Sequence, residues 1–136
     1  MELISPHNLP SDFQLDKVWE TQIGLVYFFN DLVVFEAHEG VIVSYKTAFS
    51  VLEEGINYLG EKNWSFVSNR VNSYSIKPMD YKYLHNISSL KSVAVVYYNE
   101  IAKSNAIMES KFCKKPFKVF DNLLEAAVWG KGFLIV

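Results

Sequence analysis

One cysteine, Cys113, is all that the 136 residues contain, and this scarcity removes several chemistries at once. No internal disulfide can form, and there is no second thiol for a zinc ribbon or a redox pair. A reducing, cytoplasmic compartment is the expectation. The three histidines, His7, His38 and His85, show no i, i+4 pair and no Cys/His cluster, so no metal site is expected. "HEG" at 38–40 opens like HExxH but continues through Val41, Ile42 and Val43 without a second histidine. The six glycines form neither GxxxxGK nor GxGxxG before a helical stretch, and GxSxG is absent. Phosphate loops and the nucleophile elbow are thereby excluded, and no cofactor is expected.

Excess positive charge is also missing. Thirteen Lys and Arg stand against fifteen Asp and Glu, a net charge of -2, so no basic field is available to displace counterions from phosphate backbones. Nucleic acid is not an expected partner. No run approaches the roughly 18 apolar residues needed to cross a bilayer, and "MELISPHNLPSDF" lacks a basic segment followed by an apolar core. No membrane insertion is expected. What is present is globular composition, 50% hydrophobic and 21% charged, in a length that suits one domain over 1–136.

Residues 1–11, with Pro6 and Pro10, read as an irregular N-terminal arm. "FQLDKVW", "IGLVYFF" and "LVVFEAH" then read as apolar-rich strands of an antiparallel β-meander or hairpin pair, the last two joined by a tight turn at Asn30 and Asp31. From Tyr45 to Leu59 the period changes. Tyr45, Ala48, Phe49, Leu52, Ile56 and Leu59 form one helical stripe, with Ser44 placed to cap it and Gly60 to end it. "WSFVSN", "SVAVVYY" and "PFKVF" read as strands; "PMDYKYLHNI", "EIAKSNAIMESKF" and "LLEAAVWGKG" read as helices, the last opened by Asn122 with Glu125. Strands alternating with helices imply crossovers and a largely parallel region, with "SVAVVYY" in its interior. The apolar end "FLIV" reads as a buried tail or as a homodimer contact.

The densest hydrogen-bonding stretch is "NRVNSYSIKP". Asn69, Arg70, Asn72, Ser73, Tyr74 and Ser75 fall between a strand and the helix opened by Pro78, at the sheet end where α/β folds place ligands. Arg70 offers a donor fork for carboxylate or phosphate, and the asparagines and hydroxyls surround it. Two readings stand side by side: a site for a ligand or protein partner, or a loop held in shape by Arg70 through carbonyls or through Glu36 or Glu39. Cys113, beside Lys111, Lys114 and Lys115, reads as a structural thiol without an assignable base.

These same pieces carry a resemblance. "HEGVIV", "FVSNRVNSYSIKP", "LKSVAVVYYN" and "ESKFCKKPFKVFDNLLEAAVW", with "NRxNSYS", "KPFKVF" and "NLxEAxxW" as their most specific parts, resemble small bacterial STAS/SEC14-like, or SpoIIAA-like, proteins over nearly all of the chain after residue 12. The resemblance implies an α/β fold, a mixed sheet with an N-terminal antiparallel meander followed by alternating helices and strands. It also implies a non-enzymatic regulatory or binding domain related in fold to anti-sigma factor antagonists. Those antagonists carry Asp-Ser followed by Ser/Gly and Gly, where this chain has Asn72-Ser73-Tyr74-Ser75, so no phosphorylation site is carried over. SEC14-like relatives imply an apolar ligand cavity lined by aromatics. A small-molecule enzyme using Arg70, with Tyr74 or His85 handling protons, is the alternative outside the family.

Overall fold

The computed structural model describes residues 5–134; Met1 to Ile4 of the arm, and Ile135 and Val136 of the apolar tail, lie outside the described residues. Within the arm, Pro6–Asn8 makes one 3₁₀ turn. The meander follows as β1 (Lys17–Glu20), β2 (Gly24–Phe29) and β3 (Leu32–Ala37), paired antiparallel. β1 is shorter than its alternation suggests. Pairing begins at Lys17 opposite Phe28, while Phe13 and Leu15 lie outside the ladder and cover one face of the sheet. The β2–β3 turn closes because Asn30 takes a φ of 63°, a region that asparagine tolerates better than most side chains.

The helix predicted from its stripe is α1 (Tyr45–Leu59), and its caps are the expected ones. Ser44 Oγ accepts the Thr47 N–H while Thr47 Oγ1 accepts the Ser44 N–H, a reciprocal box. Gly60 ends the helix with a φ of 69°. β5 (Trp64–Asn69), β7 (Leu90–Val96) and β8 (Phe117–Phe120) extend the sheet in parallel, giving the order β1-β2-β3-β5-β7-β8. "SVAVVYY" is indeed interior, between β5 and β8, although Tyr97 and Tyr98 fall beyond the strand. α2 (Glu100–Glu109) and α3 (Leu123–Gly132) are opened by Asn99 and Asn122, whose side chains accept the Ala102 and Glu125 N–H groups.

Two short strands escape detection in the sequence. β4 (Ile42–Val43) and β6 (Ser75–Ile76) form a separate parallel pair, too brief to show a period. The expected helix at Pro78 is a 3₁₀ segment, Pro78–Leu84.

Strand alternation sends neighbouring side chains to opposite faces and so defines two apolar layers. Val26, Phe28, Val33, Phe35, Trp64 and Val93 belong to the layer beneath α1 and the 3₁₀ segment. Tyr27, Phe29, Leu32, Val34, Val67 and Ala94 belong to the other, packed under α3 through Leu123, Ala126 and Ala127. Phe28 and Phe29 are fully buried on opposite faces, each contributing about 1.5–3 kcal/mol. The α3 side closes tightly: a Cβ on Gly130 would stand 3.2 Å from Leu32, and Ser65 Oγ donates to the Gly130 carbonyl at 2.8 Å. The α1 side does not.

Candidate functional site

α1 carries a pronounced apolar stripe, yet among its residues only Leu59 is buried. Tyr45 and Phe49 are exposed, and Ala48, Leu52 and Ile56 are half-buried. A helix whose apolar face is not pressed on the sheet must leave space beneath it. That space is a cleft of about 180 Å³. Its floor is the sheet, with Val26, Phe28, Val33, Phe35, Trp64 and Phe66; its roof is Ala48, Val51, Leu52, Gly55 and Ile56 of α1. The mouth is marked by lining residues that are themselves exposed. Tyr45 stacks on Tyr83 with ring centroids 3.9 Å apart and leans on Phe49 at 5.1 Å. Asp80, in the 3₁₀ segment, pins this end of α1 by accepting the Tyr45 N–H at 2.8 Å.

Ser44, Lys77 and Asp80 are polar residues of the lining, and a further polar edge is formed by Ser68, Tyr74 and Tyr81, behind which lies the arginine of the polar stretch. Arg70 is buried and meets Glu109 at two points, Nη1 to Oε2 at 2.7 Å and Nη2 to Oε1 at 2.6 Å. Its Nε donates to Ser68 Oγ at 3.2 Å, and its guanidinium lies 5.5 Å from the Tyr74 ring centre. Ser68 Oγ and Tyr74 Oη share a 2.6 Å hydrogen bond, and Tyr81 Oη donates to Glu109 at 2.7 Å. Burial alone would lower the Arg70 pKa, but the hydrogen bonds and charge of Glu109 outweigh it and hold the guanidinium above its ordinary value. Burial raises the phenols of Tyr74 and Tyr81, the latter further through the Glu109 charge. Both phenols are therefore neutral at physiological pH.

The six residues singled out in the sequence are thus divided. Asn69 ends β5 and is buried on the opposite face, where its Nδ2 donates to Glu36 at 2.6 Å and its Oδ1 accepts from Tyr98 at 2.6 Å. Arg70 and Tyr74 back and edge the cleft. Asn72, Ser73 and Ser75 are exposed, tied down by Asn72 Nδ2 to the Ala37 carbonyl, by the Ser73 N–H to Glu39, and by the Ser75 N–H to the Val41 carbonyl. Glu36 and Glu39 do anchor the stretch, but through Asn69 and Ser73; the carboxylate that Arg70 meets is Glu109. Glu109 went unnoticed in the sequence. Its signal was there, since it lies three and seven residues beyond Ala106 and Ala102 and so shares the face on which Ala106 is buried.

His85 and Cys113 stand apart from the cleft. His85 accepts the Lys114 N–H through Nε2 at 3.0 Å, and desolvation together with Lys114 and Lys115 lowers its pKa. The Cys113 thiol is half-buried and burial pushes its pKa up, against the thiolate that its lysine neighbours favour. Among the described residues no group of three His, Cys, Asp or Glu is gathered that could hold a metal ion. No helix among them is long and apolar enough to cross a membrane.

No family model matches the chain, and no curated protein matches it. Among solved structures it is similar to the crystal structure of an uncharacterised protein of the DUF3478 family with a SpoIIAA-like fold, from Shewanella loihica PV-4. The TM-score is 0.51 at 13% sequence identity, over 86% of this chain and 92% of that one. Antiparallel meander, parallel continuation and flanking helices together make this a SpoIIAA-like α/β fold.

Proposed function

We propose that this chain is a non-enzymatic, cytoplasmic, single-domain binding protein whose ligand is a small apolar molecule held between α1 and the sheet. The observation that carries this reading is the cleft itself: about 180 Å³, walled by aliphatic and aromatic side chains beneath a helix that buries only Leu59. Preformed apolar cavities with a few convergent polar groups are the usual form of small-molecule sites. A space of this size resembles an engineered apolar cavity of about 150 Å³ that stays dry and takes up benzene. Catalysis is not part of the proposal, because the polar edge offers neutral phenols and an arginine already occupied by Glu109.

Propylbenzene is a suitable probe. Wild type should bind it saturably and gain thermal stability, while Ala48→Phe, which fills the roof of the cleft, should fold and show no such gain. Absence of binding to wild type contradicts the reading.

A second reading rests on the exposed part of the polar stretch. Val71, Asn72, Ser73 and Ser75 present a surface held in place by the β4–β6 pair, which suits a regulatory protein partner, including a second copy of the chain. The Ser73 N–H donates to Glu39 at 2.9 Å, so added negative charge at Ser73 would oppose that carboxylate. Under this reading Ser73→Glu weakens capture of a partner in a pull-down while the cleft still takes propylbenzene. Unchanged capture contradicts it.

A further inference from the structure

The hydroxyl inventory at the edge of the cleft is unbalanced. Ser68 and Tyr74 carry two hydroxyl hydrogens, one of which lies in the 2.6 Å bond between their oxygens. Ser68 Oγ is also an acceptor, for Arg70 Nε. Among the described residues the second hydrogen has no acceptor, and both residues line the cleft. Tyr81, which also lines the cleft, has spent its hydrogen on Glu109. The apolar floor and roof of the cleft therefore meet one hydroxyl donor held in reserve.

The charge at this edge is already balanced. Arg70 does not line the cleft; it stands behind Ser68 and Tyr74, with each Nη group on one oxygen of Glu109. A ligand carboxylate approaching that guanidinium would find its charge already matched by Glu109 and would add a second, uncompensated negative charge to a buried pair, a costly arrangement. At the mouth, Lys77 and Asp80 carry opposite signs and favour neither kind of ion. Size adds a third limit, since about 180 Å³ accommodates one ring with a short alkyl chain but not a long-chain lipid.

We infer that the cleft selects a neutral, monohydroxylated or carbonyl-bearing one-ring molecule, its oxygen placed against the Ser68–Tyr74 hydroxyl pair and its apolar body beneath α1. This inference rests on the apolar-ligand reading and narrows it to a ligand class.

Three probes of similar shape test it by calorimetry: propylbenzene, 4-propylphenol and 4-propylbenzoate. The phenol should bind about tenfold more tightly than the hydrocarbon, the fold-change expected for one added hydrogen bond, and at least as far ahead of the benzoate. Ser68→Ala/Tyr74→Phe should keep propylbenzene within about threefold and erase the preference for the phenol. Since this variant also removes an acceptor from Arg70, the wild-type ranking stands as a test without it. Equal affinity for phenol and hydrocarbon overturns the inference and leaves the apolar reading intact, whereas tightest binding of the benzoate overturns it in favour of an anion site. Failure of all three probes overturns the apolar reading itself.

Discussion

Arg70 and Glu109, 39 residues apart in sequence, form a two-point ion pair that joins the end of β5 to the end of α2, with both side chains about 95% buried. Tyr81 adds a third contact from the 3₁₀ segment. Three elements that share no backbone ladder thus meet on one carboxylate, and the edge of the cleft is built on their order.

Removing either partner should be expensive because the other is left buried and charged. Arg70→Ala and Glu109→Ala should each cost about 3–5 kcal/mol in urea denaturation. Arg70→Met/Glu109→Leu should cost far less than the sum of the two, since buried pairs replaced by apolar groups of similar volume are often close to neutral. Additive losses would show that the two residues do not act as a pair.

Gly55 lies in the middle of α1 and faces the cleft, where an added Cβ would stand 4.0 Å from the Phe28 ring. That is ordinary contact, so Gly55→Ala should raise stability by about 0.5–1 kcal/mol through its backbone alone. A loss of stability would mean that α1 sits closer to the sheet than the cleft requires. Gly24 is the opposite case: its φ is 156°, and a Cβ there would collide with the Glu36 backbone oxygen. Gly24→Ala should therefore destabilise at the β2–β3 ladder, which chemical denaturation will read directly.

The phenols on the other face provide a pH test. Burial, with the Glu36 charge behind it, raises both Tyr27 and Tyr98 to about 12. A phenol held neutral in the fold favours folding fully below its unfolded pKa of about 10 and loses that contribution as pH rises toward the folded value. Stability should therefore fall between about pH 10 and pH 12, and ultraviolet titration should show tyrosines ionising late in that window. A flat stability profile across the window would contradict the packing assigned to these residues.

Much of the fold was readable where the signal is local. The α1 stripe with Ser44 and Gly60, the six residues of β5 and the Asn122-opened α3 all appear over the ranges expected, because period and caps act within a few residues. The functional geometry was less readable. Glu109 is defined as a partner only by a contact 39 residues distant, and the two-residue strands β4 and β6 are shorter than any period. An apolar cavity was implied only by the SEC14-like resemblance and could not be read from the residues, for a different reason: the stripe of α1 predicts a face toward the sheet but not the distance at which the helix stands from it. The polar stretch at 69–75 attracted attention for its hydrogen-bonding capacity, much of which the protein itself consumes.

The central claim is that the space under α1 takes a ligand, and a methyl-resolved NMR titration with propylbenzene tests it most directly. Saturable shifts confined to methyl groups that wall the cleft, those of Val26, Val33, Leu52 and Ile56 among them, are the predicted result. Shifts that fail to saturate, or that fall on exposed residues away from it such as Ile101 and Val128, would contradict the account.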